Sequence, residues 1–262
     1  MRVVRNEGFI KKRVQFTQRG SLLGMGFLLG ALVLSTRNQY ELTLVSWLLL
    51  LVGFVVAMVS VQVGNRYVRP PRPDTVLDKL LKGLDSRFVA YHYFYPAEHL
   101  LLTPSGLVAI QMQGQRGRVS VRGKRWSHGP FLQRLRVLLG DSPLGNPAAE
   151  LRRTLAATAT ALNRLGGEVA TLPLQGLIVL YADGVRLSVE NPEYPVVSAE
   201  ELKATLREMA EAHPALSSRS HKTAAATLAG KAPLEESAEP QEEPAQAPKA
   251  AKGRRSGKAK RG

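Results

Sequence analysis

The densest run of reactive side chains falls between residues 99 and 140, where Arg116, Arg118, Arg122, Lys124, Arg125, Arg134 and Arg136 occur with no acidic residue among them. Guanidinium and ammonium groups neutralise phosphate oxygens, and Trp126 within the run offers an indole face on which a base could stack. A nucleic-acid backbone suits such a surface; so do the anionic headgroups of a bilayer. Cysteine is absent, which removes disulfides, thiolate metal sites and cysteine nucleophiles. The five histidines (His92, His99, His128, His213 and His221) show no metal-ligand spacing. No phosphate-binding glycine loop, dinucleotide fingerprint, His-Glu-x-x-His or Gly-x-Ser-x-Gly motif is present, so cofactor enzymes and the standard hydrolases find no support.

The formal charge of +15 is unevenly placed. Residues 73–212 carry 16 basic and 14 acidic side chains, a net of only +2, so the surplus sits in the N-terminal third and the tail. Charge alone therefore does not declare a nucleic-acid binder.

Two segments lack charge altogether: Gly20–Thr36, 17 residues, and Leu42–Gly64, 23 residues. As helices they measure roughly 25 and 34 Å, enough to cross a bilayer core. Arg2, Arg5, Lys11, Lys12, Arg13 and Arg19 precede the first, and Arg66, Arg69 and Arg72 follow the second, against only Arg37 and Glu41 between them. That bias predicts a two-span hairpin in the cell membrane, with both termini and the soluble part cytoplasmic. Gly26 and Gly30 are spaced for close helix packing, within the hairpin first and between two copies as the alternative. The expected organisation is a basic N-terminus (1–19), the hairpin (20–64), a Pro/Arg linker (65–73), an α/β domain (74–212) and a disordered charged tail (213–262).

Within the domain, Asp74 is placed to cap a helix over Thr75–Lys82, and Phe88–Tyr95 reads as a strand closed by Pro96. His99–Thr103 and Leu107–Gln113 flank the turn Thr103-Pro104-Ser105-Gly106; both arms are apolar on both faces, as in a sheet covered by helices. A two-residue turn at Pro104-Ser105 pairs residues whose numbers sum to 209, which sets Glu98 opposite Gln111. Arg118–Val121 with Trp126 suggests a short third strand, and Pro130–Leu139 a brief helix. Asn146-Pro147 opens a long helix through Leu165, Leu177–Tyr181 is a buried strand, and Ser198–Glu201 is a capping box for a helix reaching about Met209.

Over residues 74–208 this chain resembles the nuclease-related (NERD) domain family, of the restriction-endonuclease-like PD-(D/E)xK type. The resemblance rests on the run Glu98–Ile110, then Gly117, Trp126, Asn146-Pro147 and Val196–Leu202 in that order. It implies a restriction-endonuclease-like mixed sheet with flanking helices, here preceded by a transmembrane α-helical hairpin. In that family an aspartate opens the first hairpin strand, a Glu-x-Lys triplet ends the second, and an acid on the preceding helix completes the site. The matching positions are Glu98, Gln111, Gln113 and Asp74. Glutamine supplies neither the carboxylate that holds magnesium nor the ammonium that positions the attacking water. The expectation is a non-catalytic module without cofactor. The alternative is an active nuclease that takes magnesium through Asp74, Glu98 and an acid such as Asp85. Expected partners are membrane lipids, nucleic acid or another membrane protein, with a homo-oligomer or scaffold role open.

Overall fold

The computed structural model describes residues 1–37, 40–128 and 145–231. The helix expected over Pro130–Leu139, with Arg134 and Arg136, and the chain beyond Lys231 lie outside them.

Helices α1 (Glu7–Ser35) and α2 (Tyr40–Tyr67) are both long and apolar enough to cross a membrane. They pack antiparallel: a Cβ on Gly20 would meet Ser60, one on Gly24 would lie 2.9 Å from the Ala57 nitrogen, and one on Gly53 would meet Phe27. The glycine pair expected to do this, Gly26 and Gly30, instead faces open space. The repeat that counts is Gly20 and Gly24, six residues earlier and so on another face of the helix, because these face α2. Both helices outrun their uncharged cores. The side chain of Asn6 caps α1 by accepting from the Phe9 amide at 2.9 Å, which extends the helix through the basic leader.

The leader is no separate extension. Residues Arg2–Arg5 form strand β1, which pairs in parallel with β2 (Val89–His92). A six-stranded mixed sheet follows in the order β1-β2-β3-β4-β7-β9, with β3 (His99–Leu102), β4 (Leu107–Gln113), β7 (Leu174–Leu180) and β9 (Val196–Ser198). β2, β3 and β4 run antiparallel, whereas β4, β7 and β9 are parallel. In the β3–β4 hairpin, His99 stands opposite Ile110 and Leu102 opposite Leu107, the register of the two-residue turn. Thr103 closes that turn by donating its amide to the Gly106 carbonyl at 2.8 Å.

Alternate residues feed two cores. Tyr91, Leu100, Ala109 and Ile178 face α4 (Pro147–Leu165), while Ala90, Leu101, Val108 and Leu177 face α3 (Pro73–Leu81) and α5 (Leu202–Glu211). Burial on both sides explains why the central strands lack alternation in sequence. A second sheet, β6-β5-β8, joins β5 (Arg118–Arg122), β6 (Arg125–His128) and β8 (Arg186–Glu190). Its Val119 and Val121 enter the core on the α4 side.

Three expected boundaries move. The strand expected to run from Phe88 to Tyr95 covers only Val89–His92, because Tyr93 turns out of it with φ 65°. Asp74 is not the cap of α3, because Pro73 already opens that helix and Asp74 is buried within its first turn. The tail expected to be disordered from 213 carries helix α6 (Ser218–Lys231). Ala224 and Leu228 of α6 are fully buried, and its Ala225 and Leu228 carbonyls accept from the Tyr91 and Tyr95 hydroxyls at 3.2 and 2.8 Å. Its small buried residues pack into the α4-side core near Val169, so a composition that reads as unstructured still folds here.

Candidate functional site

The carboxyl ends of β1, β2, β4 and β7 and the start of β3 share one sheet edge, and both long apolar helices, α1 and α2, join the domain there. Two separate charge clusters occupy that edge, one on each face.

On the α4 face, Glu98 receives both terminal residues of α2. Its Oε1 accepts from the Tyr67 hydroxyl at 2.7 Å, and its Oε2 lies 3.0 Å from Arg66 Nη2. Arg66 also reaches Glu150 of α4 at 3.9 Å, and Gln111 donates its amide to the same carboxylate at 2.8 Å. Glu98 and Gln111 are thus brought together, as the register requires, around a guanidinium. Gln113 is buried at the end of β4, where Tyr181 packs so tightly on Gly114 that a Cβ would stand 2.8 Å from its hydroxyl. Burial raises the Tyr181 phenol above its ordinary range.

Asp74 belongs to the other face. Its Oδ2 lies 2.9 Å from Arg5 Nε and 2.9 Å from Arg72 Nη2, and Arg5 also binds Asp78. Asp78 accepts from His92 Nε2 at 2.9 Å, and the His92 and His99 Nδ1 atoms stand 2.9 Å apart. With His92 giving its Nε2 proton to the carboxylate, its Nδ1 is the acceptor and His99 donates from Nδ1. His99 Nε2 is then a buried lone pair with no hydrogen-bond partner. Burial above all, with the nearby His92 ring and the Arg66 and Arg5 guanidiniums adding to it, holds the His99 pKa well below the imidazole range, in keeping with a neutral ring. Tyr93 seals the space between the two clusters. It adopts φ 65°, a strained value for a bulky residue, donates its amide to the Glu98 carbonyl at 2.8 Å and stacks on Phe9.

This arrangement does not fit magnesium. Both oxygens of Glu98 are engaged by Arg66 and Tyr67, Asp74 is held by two arginines on the opposite face, and Gln111 and Gln113 bring no charge. Asp85 pairs with Arg87 at the far end of the sheet. Among the described residues, no three His, Asp or Glu side chains are grouped to hold a metal ion.

The basic run makes a flat face on the small sheet. Arg118, Ser120 and Arg122 alternate outward from β5, joined by Arg125 and Ser127 across β6 and by Arg186, Ser188 and Glu190 across β8. Arg118, Arg125 and Arg186 are exposed, and Arg122 is held by Glu190 at 3.1 Å. Lys124 is exposed in the β5–β6 turn, and Arg116 precedes β5. Trp126 does not join this face. It stands opposite Val121 and packs on the core, so it is no stacking platform.

Sequence reasoning missed Arg186, which is isolated in the chain and reaches the basic face only through the parallel β5–β8 pairing. Arg5 and Arg66 were legible only as membrane flanks, and nothing local marks Tyr67, Asp78 or Glu150 as belonging to the same clusters. Comparison with family models, with curated proteins and with solved structures found no match.

Proposed function

We propose that this chain is a membrane-anchored, non-catalytic module of the nuclease-related, restriction-endonuclease-like type, which holds nucleic acid against the cytoplasmic face of the membrane. The observation that carries the reading is the outward face of the small sheet, where four arginines and three serines surround a single acid. Guanidinium forks and hydroxyls arrayed on a flat surface match a phosphate backbone without reading sequence. The hairpin returns the chain to the edge it left, since β1 precedes α1 and pairs with the strand that follows α3. With the positive flanks, this favours a cytoplasmic domain. The old catalytic edge serves as the joint between anchor and domain: Arg66 stands between Glu98 and Glu150, where a nuclease would hold its metal ion.

The test is binding of duplex and single-stranded DNA and RNA to the detergent-solubilised chain across a salt series. Arg118→Gln, Arg125→Gln and Arg186→Gln together should remove most binding and flatten the slope of log K against log salt by roughly 0.9 per lost contact on duplex DNA. Wild type and Glu98→Ala should both leave the strand intact with magnesium or manganese. Undiminished binding by the triple variant, or cleavage that depends on Glu98, overturns the reading.

A further inference from the structure

A groove of about 500 Å³ runs along the seam of α1 and α2 where the hairpin leaves the domain. Lys12, Phe16, Arg19 and Leu23 of α1 line it at helical spacing, facing Val55 and Val59 of α2. Its polarity changes along its length. Lys12 and Arg19 bracket the end nearest the domain, seven residues or about 10 Å apart on the helix. Leu23, Val55 and Val59 form an apolar channel at the other end, and no acidic residue lines any part of it. Neither Lys12 nor Arg19 has a hydrogen-bond or ion-pair partner among the described residues, although Arg5, Arg66 and Arg72 close by are all held by carboxylates.

We propose that this groove is a binding site for one anionic glycerophospholipid. Lys12 and Arg19 would hold its phosphate, and one acyl chain would lie along Leu23, Val55 and Val59. Long cationic side chains beside an apolar channel suit a molecule whose charge and hydrocarbon are joined at the membrane interface. A second copy of the chain suits it less. A two-fold contact through this face would set Lys12 and Arg19 against their own counterparts, like charges on a surface without an acid to offset them. The site rests on the membrane reading above and is independent of nucleic-acid binding.

The test uses the full chain in nanodiscs of phosphatidylcholine with a minor fraction of either phosphatidylglycerol or further phosphatidylcholine, with lipid retained through detergent purification measured by native mass spectrometry. Wild type should retain phosphatidylglycerol in preference, about one molecule per chain. Lys12→Gln with Arg19→Gln should weaken retention about twenty-five-fold, from about a fivefold loss per cation. The charge-matched control Lys11→Gln with Arg69→Gln should not. Val59→Trp, which fills the channel without altering charge, should also lose the lipid while melting like wild type. Equal loss in the control, or no headgroup preference, reduces the effect to general attraction and overturns the site. So does a cross-linked dimer whose groove is protected whatever the lipid. A chain that fails to float with vesicles sinks the membrane reading and this site with it; one that floats without preference sinks only the site.

Discussion

Asp74→Asn tests whether the sheet edge is a structural joint or a site kept for a metal ion. The Asp74 side chain is fully buried, and its Oδ2 meets Arg5 and Arg72 at 2.9 Å each. Asparagine keeps the shape and removes the charge. The Arg72 contact is a hydrogen bond between charged groups, a kind that contributes about 1.5–3 kcal/mol, while the Arg5 contact is an ion pair only. Breaking a buried pair by removing one partner costs about 3–5 kcal/mol. The arginines are 25% and 24% exposed, and Arg5 retains Asp78, so solvent and the second carboxylate relieve part of the penalty. The expected loss is therefore at the lower end, about 3 kcal/mol. For a domain of this size 1 kcal/mol moves the melting temperature by about 2–4 °C, which gives a fall of about 6–12 °C. The measurement is thermal unfolding of the full chain in detergent, with Trp47→Phe in the background so that the Trp126 fluorescence reports on the domain. Asp85→Asn, which breaks the exposed pair with Arg87, is the control and should shift the midpoint by no more than about 2 °C. A shift that small for Asp74→Asn would refute the joint, and a gain in stability on adding magnesium to the wild type would point to the metal site instead.

Three further outcomes follow from the geometry. His99 stays neutral in the fold while its unfolded counterpart takes a proton below its ordinary value of 6.5, so its contribution is fully present above that pH. Stability should decline by up to about 1.4 kcal/mol per pH unit below it. In denaturant melts from pH 7.5 to 5, His99→Gln should flatten that decline; an unchanged slope argues against a buried neutral ring. Leu228→Ala, at a fully buried position on α6, should cost about 2–5 kcal/mol and open residues 213–231 to limited proteolysis. A variant as resistant as wild type would place α6 outside the fold. Gly24→Leu should separate the hairpin, because even its Cβ would lie 2.9 Å from the Ala57 backbone nitrogen, whereas Gly30→Leu meets nothing. Thermal stability in detergent that falls equally for both would contradict the packing.

The sequence was most readable where the local signal and the tertiary result coincide. The turn at Pro104-Ser105 fixes its own register, and that register alone places Glu98 beside Gln111 on the α4 face. Asn146-Pro147 likewise announces α4, whose Asn146 side chain accepts from the Ala149 amide at 3.1 Å. What stayed hidden depends on partners distant in the chain. β1 is four residues, Arg-Val-Val-Arg, whose pairing with Val89–His92 nothing local foretells, and β8 is exposed along most of its length. Asp74 is a plausible cap by type and position, and only the return of Arg5 and Arg72 to it reveals a buried ion pair.

The cations that flank the two spans therefore divide by fate. As a row in the sequence they all count alike toward the positive flanks on which the proposed orientation rests. In the fold, Arg5 and Arg72 are held by Asp74 and Arg66 is held by Glu98, whereas Arg13 keeps its charge 4.9 Å over the Phe9 ring. A guanidinium committed to a carboxylate a few ångströms away presents little net field to a lipid phosphate beyond a Debye length of about 8 Å. Attraction to anionic lipid must then come from the charges left over, and two of these, Lys12 and Arg19, line the groove between α1 and α2. The same ion pairs that make the sheet edge an unsuitable cage for magnesium thus leave Lys12 and Arg19, rather than Arg5, Arg66 or Arg72, to meet an anionic headgroup at the seam of the hairpin.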